Sequence, residues 1–223
     1  MAFVVAVAQQ KGGAGKSTVA ANLAAALAAE SGTRVALLDT DPQQSLLRWH
    51  AERQQRHAVM AGGRAVVPLH FVTPSGWRIG GALDRLRREQ DFIVLDTAPH
   101  AETDAKLAIR AADLVLMPLQ PSPADLWASE ATLKLAADER RQVAALLNRV
   151  PAQGRLKDQA AAQLRAQKVR LLEPTLGNRT GFAQAFQEGL SVTEAAPRSV
   201  AAEEVRALAE AIRRLAAAAA PRR

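Results

Sequence analysis

Apolar residues along this chain gather in short continuous runs that alternate with longer stretches of helical spacing. The runs at 3–8, 34–38, 66–72, 92–95, 114–117 and 143–147 are dominated by Val, Leu, Ile and Ala. Most do not alternate with polar residues, the pattern of strands covered on both faces. Between them, apolar positions recur every three or four residues over about 16–30, 43–56, 79–89, 103–112, 123–138, 156–167, 181–188 and 201–219, which predicts helices. Strand and helix in alternation predict an α/β fold, a mostly parallel twisted sheet with helices on both faces. No repeat or linker interrupts the pattern, so residues 1–223 read as one domain, with 61–63 and a flexible tail over 216–223 as its most mobile parts.

Composition removes several kinds of chemistry. The chain is 48% hydrophobic but has only five Phe, three Trp and no Tyr, which places the core on Val, Leu and Ile and disfavours an aromatic-lined sugar or RNA site. With no Cys there are no disulfides, thiol nucleophiles, cysteine zinc sites or iron–sulfur clusters. His50, His57, His70 and His100 lack metal-ligand spacing. Trp49, Trp77 and Trp127 are expected to cover apolar surface, Trp127 in the core. The N-terminus has no basic leader and no apolar run approaches the ~18 residues of a membrane span, so a cytoplasmic protein is expected.

Charge is placed unevenly. Residues 1–133 hold 13 basic and 13 acidic side chains, whereas 134–223 hold 16 and 9, so the formal surplus of +7 lies in the last part of the chain. Either this is a solvated basic surface or an anionic partner binds there.

Directly after the first predicted strand comes Lys11-Gly12-Gly13-Ala14-Gly15-Lys16-Ser17-Thr18, at the start of a predicted helix. Glycines let consecutive N–H groups turn toward an oxyanion, the helix N-terminus adds partial positive charge, and Lys16 reaches outer phosphates. Ser17 is placed to offer its hydroxyl to a Mg²⁺ ion that bridges them. The usual phosphate loop has Gly where this chain has Gln10, and a second lysine, Lys11, opens the loop. Two further strand ends, Leu38-Asp39-Thr40-Asp41 and Leu95-Asp96-Thr97, fall on the same edge of a parallel sheet. Asp96 suits an outer-shell role on Mg²⁺, Asp39 is a second candidate for it, and Asp41 is placed to orient attacking water.

Taken together, Lys11–Ser17, Asp39-Thr40-Asp41-Pro42-Gln43 and the strand ending in Asp96 resemble the deviant Walker A ATPases of the ParA/MinD group. The segment from Pro118 to Leu126 and that from Phe182 to Glu194 are similar to small ParF-type partition ATPases, so the resemblance covers nearly the whole chain. It implies an ATP- and Mg²⁺-dependent homodimer in which Lys11 reaches the partner's nucleotide, and an adenine contact from Asn148 in Leu147-Asn148-Arg149. It further implies positioning of cargo, most simply a plasmid or chromosome, over non-specific DNA, with a ParB- or ParG-like stimulating protein. Arg179 matches a DNA-contacting arginine of ParA relatives, and Arg198 and the basic stretch from Arg149 to Arg170 are further candidates.

Two other readings stay open. Positioning of a protein complex such as a chemoreceptor cluster needs the same motifs. A MinD-like membrane-cycling regulator would use the stripe Val205, Leu208, Ile212 and Leu215 as an amphipathic anchor, but no aromatic residue accompanies that stripe. Reductases of the nitrogenase type are excluded by the missing cysteines, and tyrosine autokinases by the missing Tyr.

Overall fold

Seven parallel strands form the sheet: β1 (Phe3–Val7), β2 (Val35–Asp39), β3 (His70–Val72), β4 (Phe92–Asp96), β5 (Leu114–Leu119), β6 (Val143–Leu147) and β7 (Arg170–Leu171). Their order is β3-β2-β4-β1-β5-β6-β7. The helices are α1 (Lys16–Ala28), α2 (Ser45–Val59), α3 (Arg78–Glu89), α4 (Glu102–Ala111), α5 (Pro123–Asp138), α6 (Leu156–Ala166), α7 (Thr180–Gln187), α8 (Val192–Ala195) and α9 (Val200–Ala219). This computed structural model describes residues 1–59, 66–74, 76, 78–99 and 102–220, and these counts refer to them. The expected mobile stretch at 61–63, Trp77 and His100 lie outside the described residues.

Residue alternation divides each central strand between two cores. Val5 and Val7 pack with α1, α2 and α7–α9 on one face, in a cluster that includes Leu23, Leu27, Trp49, Val205, Leu208 and Ile212. Val4 and Ala6 pack on the other face with Ile79, Leu83 and Leu86 of α3. Helix α1 is buried nearly all round, and its many alanines let the sheet and α9 approach closely. Arg213 of α9 donates to the carbonyls of Ala26 and Leu27, both at 3.2 Å, and so satisfies groups that the end of α1 leaves unpaired.

Four local readings change. The strand expected over 66–72 is only His70–Val72, because side chains take the backbone of Val67: its N–H donates to Glu194 at 3.0 Å and its carbonyl accepts from Arg53 at 2.7 Å. Strand β7 and the single turn α8 were not expected, although Ser191 and Glu194 form a capping box around α8. Helix α9 ends at Ala219, as its spacing predicts, so its last turn takes up the first part of the stretch expected as a flexible tail, as an alanine run favours. Trp127 is 66% exposed on α5 rather than in the core, whereas Trp49 is 1% exposed, as expected.

The carboxyl ends of the central strands are level. The register pairs Val7 with Asp96 and Asp96 with Asp39, so the segment after β1 and both carboxylates meet at one edge.

Candidate nucleotide site

The segment between β1 and α1 forms a loop that only glycine fits at Gly15. Its φ is +86°, and a Cβ there would lie 2.6 Å from Asn148 Nδ2. Asn148, at the end of β6, is the residue that makes the space so tight. Its Nδ2 donates to the Ala14 carbonyl at 2.8 Å, while its Oδ1 accepts from the Arg149 N–H at 2.9 Å. Asn148 therefore braces the loop with one N–H and one oxygen lone pair of its amide, leaving one of each for another partner. Arg149, in the left-handed region at φ 51°, adds a hydrogen bond from Nη1 to the Gly13 carbonyl at 3.2 Å.

The two lysines face different surroundings. Lys16 is buried at the start of α1, and burial lowers its pKa while Asp96 and Asp41 act to raise it. Lys11 points out of the loop and ion-pairs with Asp125 of α5 at 2.6 Å, its side chain 36% exposed against 2% for Asp125. Asp125 also accepts from the Ser122 hydroxyl at 2.7 Å. Burial alone would raise the Asp125 pKa, but the bonds from Lys11 and Ser122 take it below the usual range. Sequence reasoning missed Asp125 as a partner of the loop, since nothing local marks a pair 114 residues apart.

The three aspartates are not equivalent. Asp39 spends its carboxylate on structure: Oδ1 accepts from the Asp41 N–H at 3.0 Å and Oδ2 from the Leu47 N–H at 3.1 Å, at the start of α2. Burial raises its pKa and those backbone donors oppose the rise. Asp41 accepts from the Gln43 N–H at 2.9 Å, which shapes the turn after β2. Asp96 is fully buried, and neither of its carboxylate oxygens accepts a hydrogen bond of normal geometry. Burial carries its pKa up to about 8, against the pull of Ser17 and Lys16. An unsatisfied buried carboxylate beside a serine hydroxyl and a lysine calls for a cation.

Next to the loop lies a cleft of about 340 Å³ whose walls include Gly15, Thr18, Asn148, Arg149, Asn178 and Phe182. It opens directly beside the glycine-rich loop. Arg179 also borders it, but its guanidinium pairs with Glu204 at 2.7 and 3.2 Å. Arg198 is exposed. The structure thus gathers Lys11 to Thr18, Asp39, Asp41, Asp96 and Asn148 at one edge. Arg179 reaches the rim of that edge with its charge already matched.

Residues 5–192 match the family described as CobQ/CobB/MinD/ParA nucleotide binding domain. Among curated relatives, maintenance of carboxysome distribution protein A of Halothiobacillus neapolitanus is 30% identical over 215 residues, covering 92% of this chain and 93% of that protein. Protein ParA of Rhizobium radiobacter is 30% identical over 194 residues, 83% of each chain. Among solved structures, the septum site-determining protein MinD complexed with Mg-ADP from Pyrococcus horikoshii has a TM-score of 0.74 at 18% identity, covering 100% of both chains.

Proposed function

The chain belongs to the CobQ/CobB/MinD/ParA nucleotide-binding family, and from that premise we propose that it is an ATP-driven dimerisation switch that positions or segregates cargo over non-specific DNA. Its cofactors are ATP and Mg²⁺. The observation that carries the reading is the division of labour between two lysines on one loop: Lys16 is buried against the aspartates, while Lys11 turns outward to Asp125.

In this reading the N–H groups from Gly12 to Thr18 and the start of α1 hold the phosphates, and Lys16 neutralises the outer ones. The Ser17 hydroxyl and Asp96 would hold Mg²⁺, which when bound offsets phosphate charge and fixes phosphate geometry. Asp96 fits this role better than Asp39, whose two oxygens already accept from the Asp41 and Leu47 N–H groups. Asp41 orients water toward the outer phosphate. Asn148 keeps the loop in register and presents only its remaining hydrogen-bonding capacity to the base. Lys11 exchanges Asp125 for phosphates in a partner's site, so nucleotide binding and dimerisation become linked. Hydrolysis breaks that bridge.

DNA serves as the track, and the cargo carries a ParB- or ParG-like stimulating protein or is itself a large protein assembly. The name of the Halothiobacillus relative, which refers to carboxysome distribution, supports the second kind of cargo. A membrane-cycling role is less well supported. The stripe that would insert is packed inside, with Val205, Leu208 and Ile212 each at 0% exposure, and among the described residues no helix is long and apolar enough to cross a membrane.

The test is Mg²⁺-dependent ATP turnover by the purified chain together with nucleotide binding. Lys16→Ala is expected to lose nucleotide binding, and Asp41→Ala to keep binding while turnover falls. Wild-type turnover in Asp41→Ala would remove that residue from the reaction.

A further inference from the structure

Positive charge also collects at the other end of the sheet, away from the nucleotide loop. Strands β5, β6 and β7 run parallel, with Val115 against Val143 and Ala144 against Arg170, so the residues that lead into them share one floor. A cleft of about 430 Å³ opens there, lined among others by Phe3, Asp113, Arg140, Arg141, Arg170 and Leu215. All three arginines are exposed, and among the described residues none of their guanidinium groups has a hydrogen-bond or ion-pair partner. Asp113, the one carboxylate in that lining, is engaged elsewhere: it accepts the Val4 N–H at 2.8 Å and lies 3.6 Å from the Arg87 guanidinium.

The backbone supplies an independent sign that charge matters at this floor. Helix α5 ends with Arg140 at φ 54°, its N–H donating to Ala137 and that of Arg141 to Ala136. Helix α6 ends the same way with Lys168 at φ 58°, its N–H donating to Arg165 and that of Val169 to Leu164. Glycine is the usual residue at this left-handed position because a side chain is strained there. Two neighbouring helices accept that strain with a basic residue. Part of the return is interaction with the carbonyl ends of the helices, which any cation gives. That interaction does not account for Arg141 and Arg170, which lie beyond the helix ends and flank the same cleft.

We propose that Arg140, Arg141 and Arg170 form a phosphate-binding cleft that engages the sugar–phosphate backbone of nucleic acid. The inference rests on the DNA reading above and moves the track from Arg179, already paired with Glu204, to the amino-terminal floor of the sheet. Nucleic acid fits better than a lipid surface, because the described residues of this lining offer no exposed bulky apolar group to insert: Phe3 and Leu215 are both partly buried against the core. Contacts of this kind release counterions and ignore base sequence. Because the floor and the nucleotide loop sit at opposite sheet edges, affinity of one floor for one short duplex does not depend on nucleotide. A dimer joined at the loop edge carries two floors, so ATP strengthens binding only to DNA long enough to occupy both.

The test is fluorescence anisotropy with a short random duplex over a salt series, in the absence of nucleotide and with a non-hydrolysable ATP analogue. The variant Arg140→Gln, Arg141→Gln, Arg170→Gln is expected to bind on the order of tenfold more weakly or worse, with the slope of log affinity against log salt reduced by about three. ATP turnover is expected to be unchanged. Arg140→Gly removes one charge and relieves the left-handed strain, so it should weaken binding with no loss of thermal stability, which separates binding from folding. Wild-type affinity in the triple variant, with loss in Arg179→Glu or Arg198→Glu, would overturn the floor cleft and leave the DNA reading standing. A wild-type chain that binds no duplex at low salt in either nucleotide state would overturn both. Binding of anionic phospholipid vesicles through these arginines, in place of duplex, would overturn the nucleic-acid assignment.

Discussion

Lys11 Nζ lies 2.6 Å from Asp125 Oδ2, so the outward lysine of the phosphate loop is held by α5 of its own chain. In the dimerisation reading the pair must open before Lys11 can serve a partner, and Asp125 competes with the partner's phosphates for one ammonium group. A charge-assisted hydrogen bond contributes roughly 1.5–3 kcal/mol, and the exposure of Lys11 reduces this to about 1 kcal/mol by screening. Asp125→Asn keeps the bond from Ser122 but releases the charge. Each dimer opens two such pairs, so the substitution should lower the protein concentration at which ATP analogue drives dimerisation by roughly thirtyfold, on the same energy scale. A concentration series by sedimentation velocity reads this directly.

The unsatisfied carboxylate of Asp96 gives a pH signature. Burial raises its pKa to about 8, whereas an unfolded aspartate titrates near about 3.9. Below about pH 4 both states carry the proton. As pH climbs toward 8 the unfolded chain releases its proton first, so nucleotide-free stability falls across that window. Asp96→Asn should therefore be more stable than wild type near neutral pH, by an amount on the order of a few kcal/mol. The advantage should shrink toward acid pH, and Mg²⁺-nucleotide should stabilise the variant less than wild type. Thermal melts across the pH range, with and without Mg-ADP, test both arms. Parallel pH profiles for the two proteins would show that Asp96 is not held as described.

Gly15→Ala places a Cβ 2.6 Å from Asn148 Nδ2 on a backbone at φ +86°. A side chain in the left-handed region costs roughly 1–2 kcal/mol before any clash. Nucleotide affinity should fall on the order of tenfold or more, and titration calorimetry measures it.

Arg53 and Glu194 form a buried ion pair at 2.6 Å that ties α2 to α8, with Arg53 also 4.9 Å from the Trp49 ring. Arg53→Met leaves Glu194 buried and unpaired, which should cost roughly 3–5 kcal/mol. Adding Glu194→Gln should recover part of that loss. Denaturant unfolding of the single and double variants gives the coupling.

The phosphate loop, the strand ends with Asp39, Asp41 and Asp96, and all strands but β7 were legible because their signals are local: glycines beside lysines, and apolar runs ending in carboxylates. Strand β7 has two residues and α8 four, too short for periodicity to register. The pairs that set the electrostatics were not legible. Lys11 meets Asp125 across 114 residues, Arg53 meets Glu194 across 141 and Arg179 meets Glu204 across 25. Their meeting depends on how strands and helices pack together, which no spacing rule supplies. The same holds for Asn148, whose bond to Ala14 is a consequence of β6 ending beside the loop.

The central claim is that Lys11 acts on a partner's nucleotide. Light scattering coupled to size exclusion, with Mg²⁺ and a non-hydrolysable ATP analogue, measures it most directly on wild type and Lys11→Ala. The account predicts that wild type doubles in mass, while Lys11→Ala binds the analogue and stays a monomer. A Lys11→Ala protein that dimerises as wild type does would contradict it.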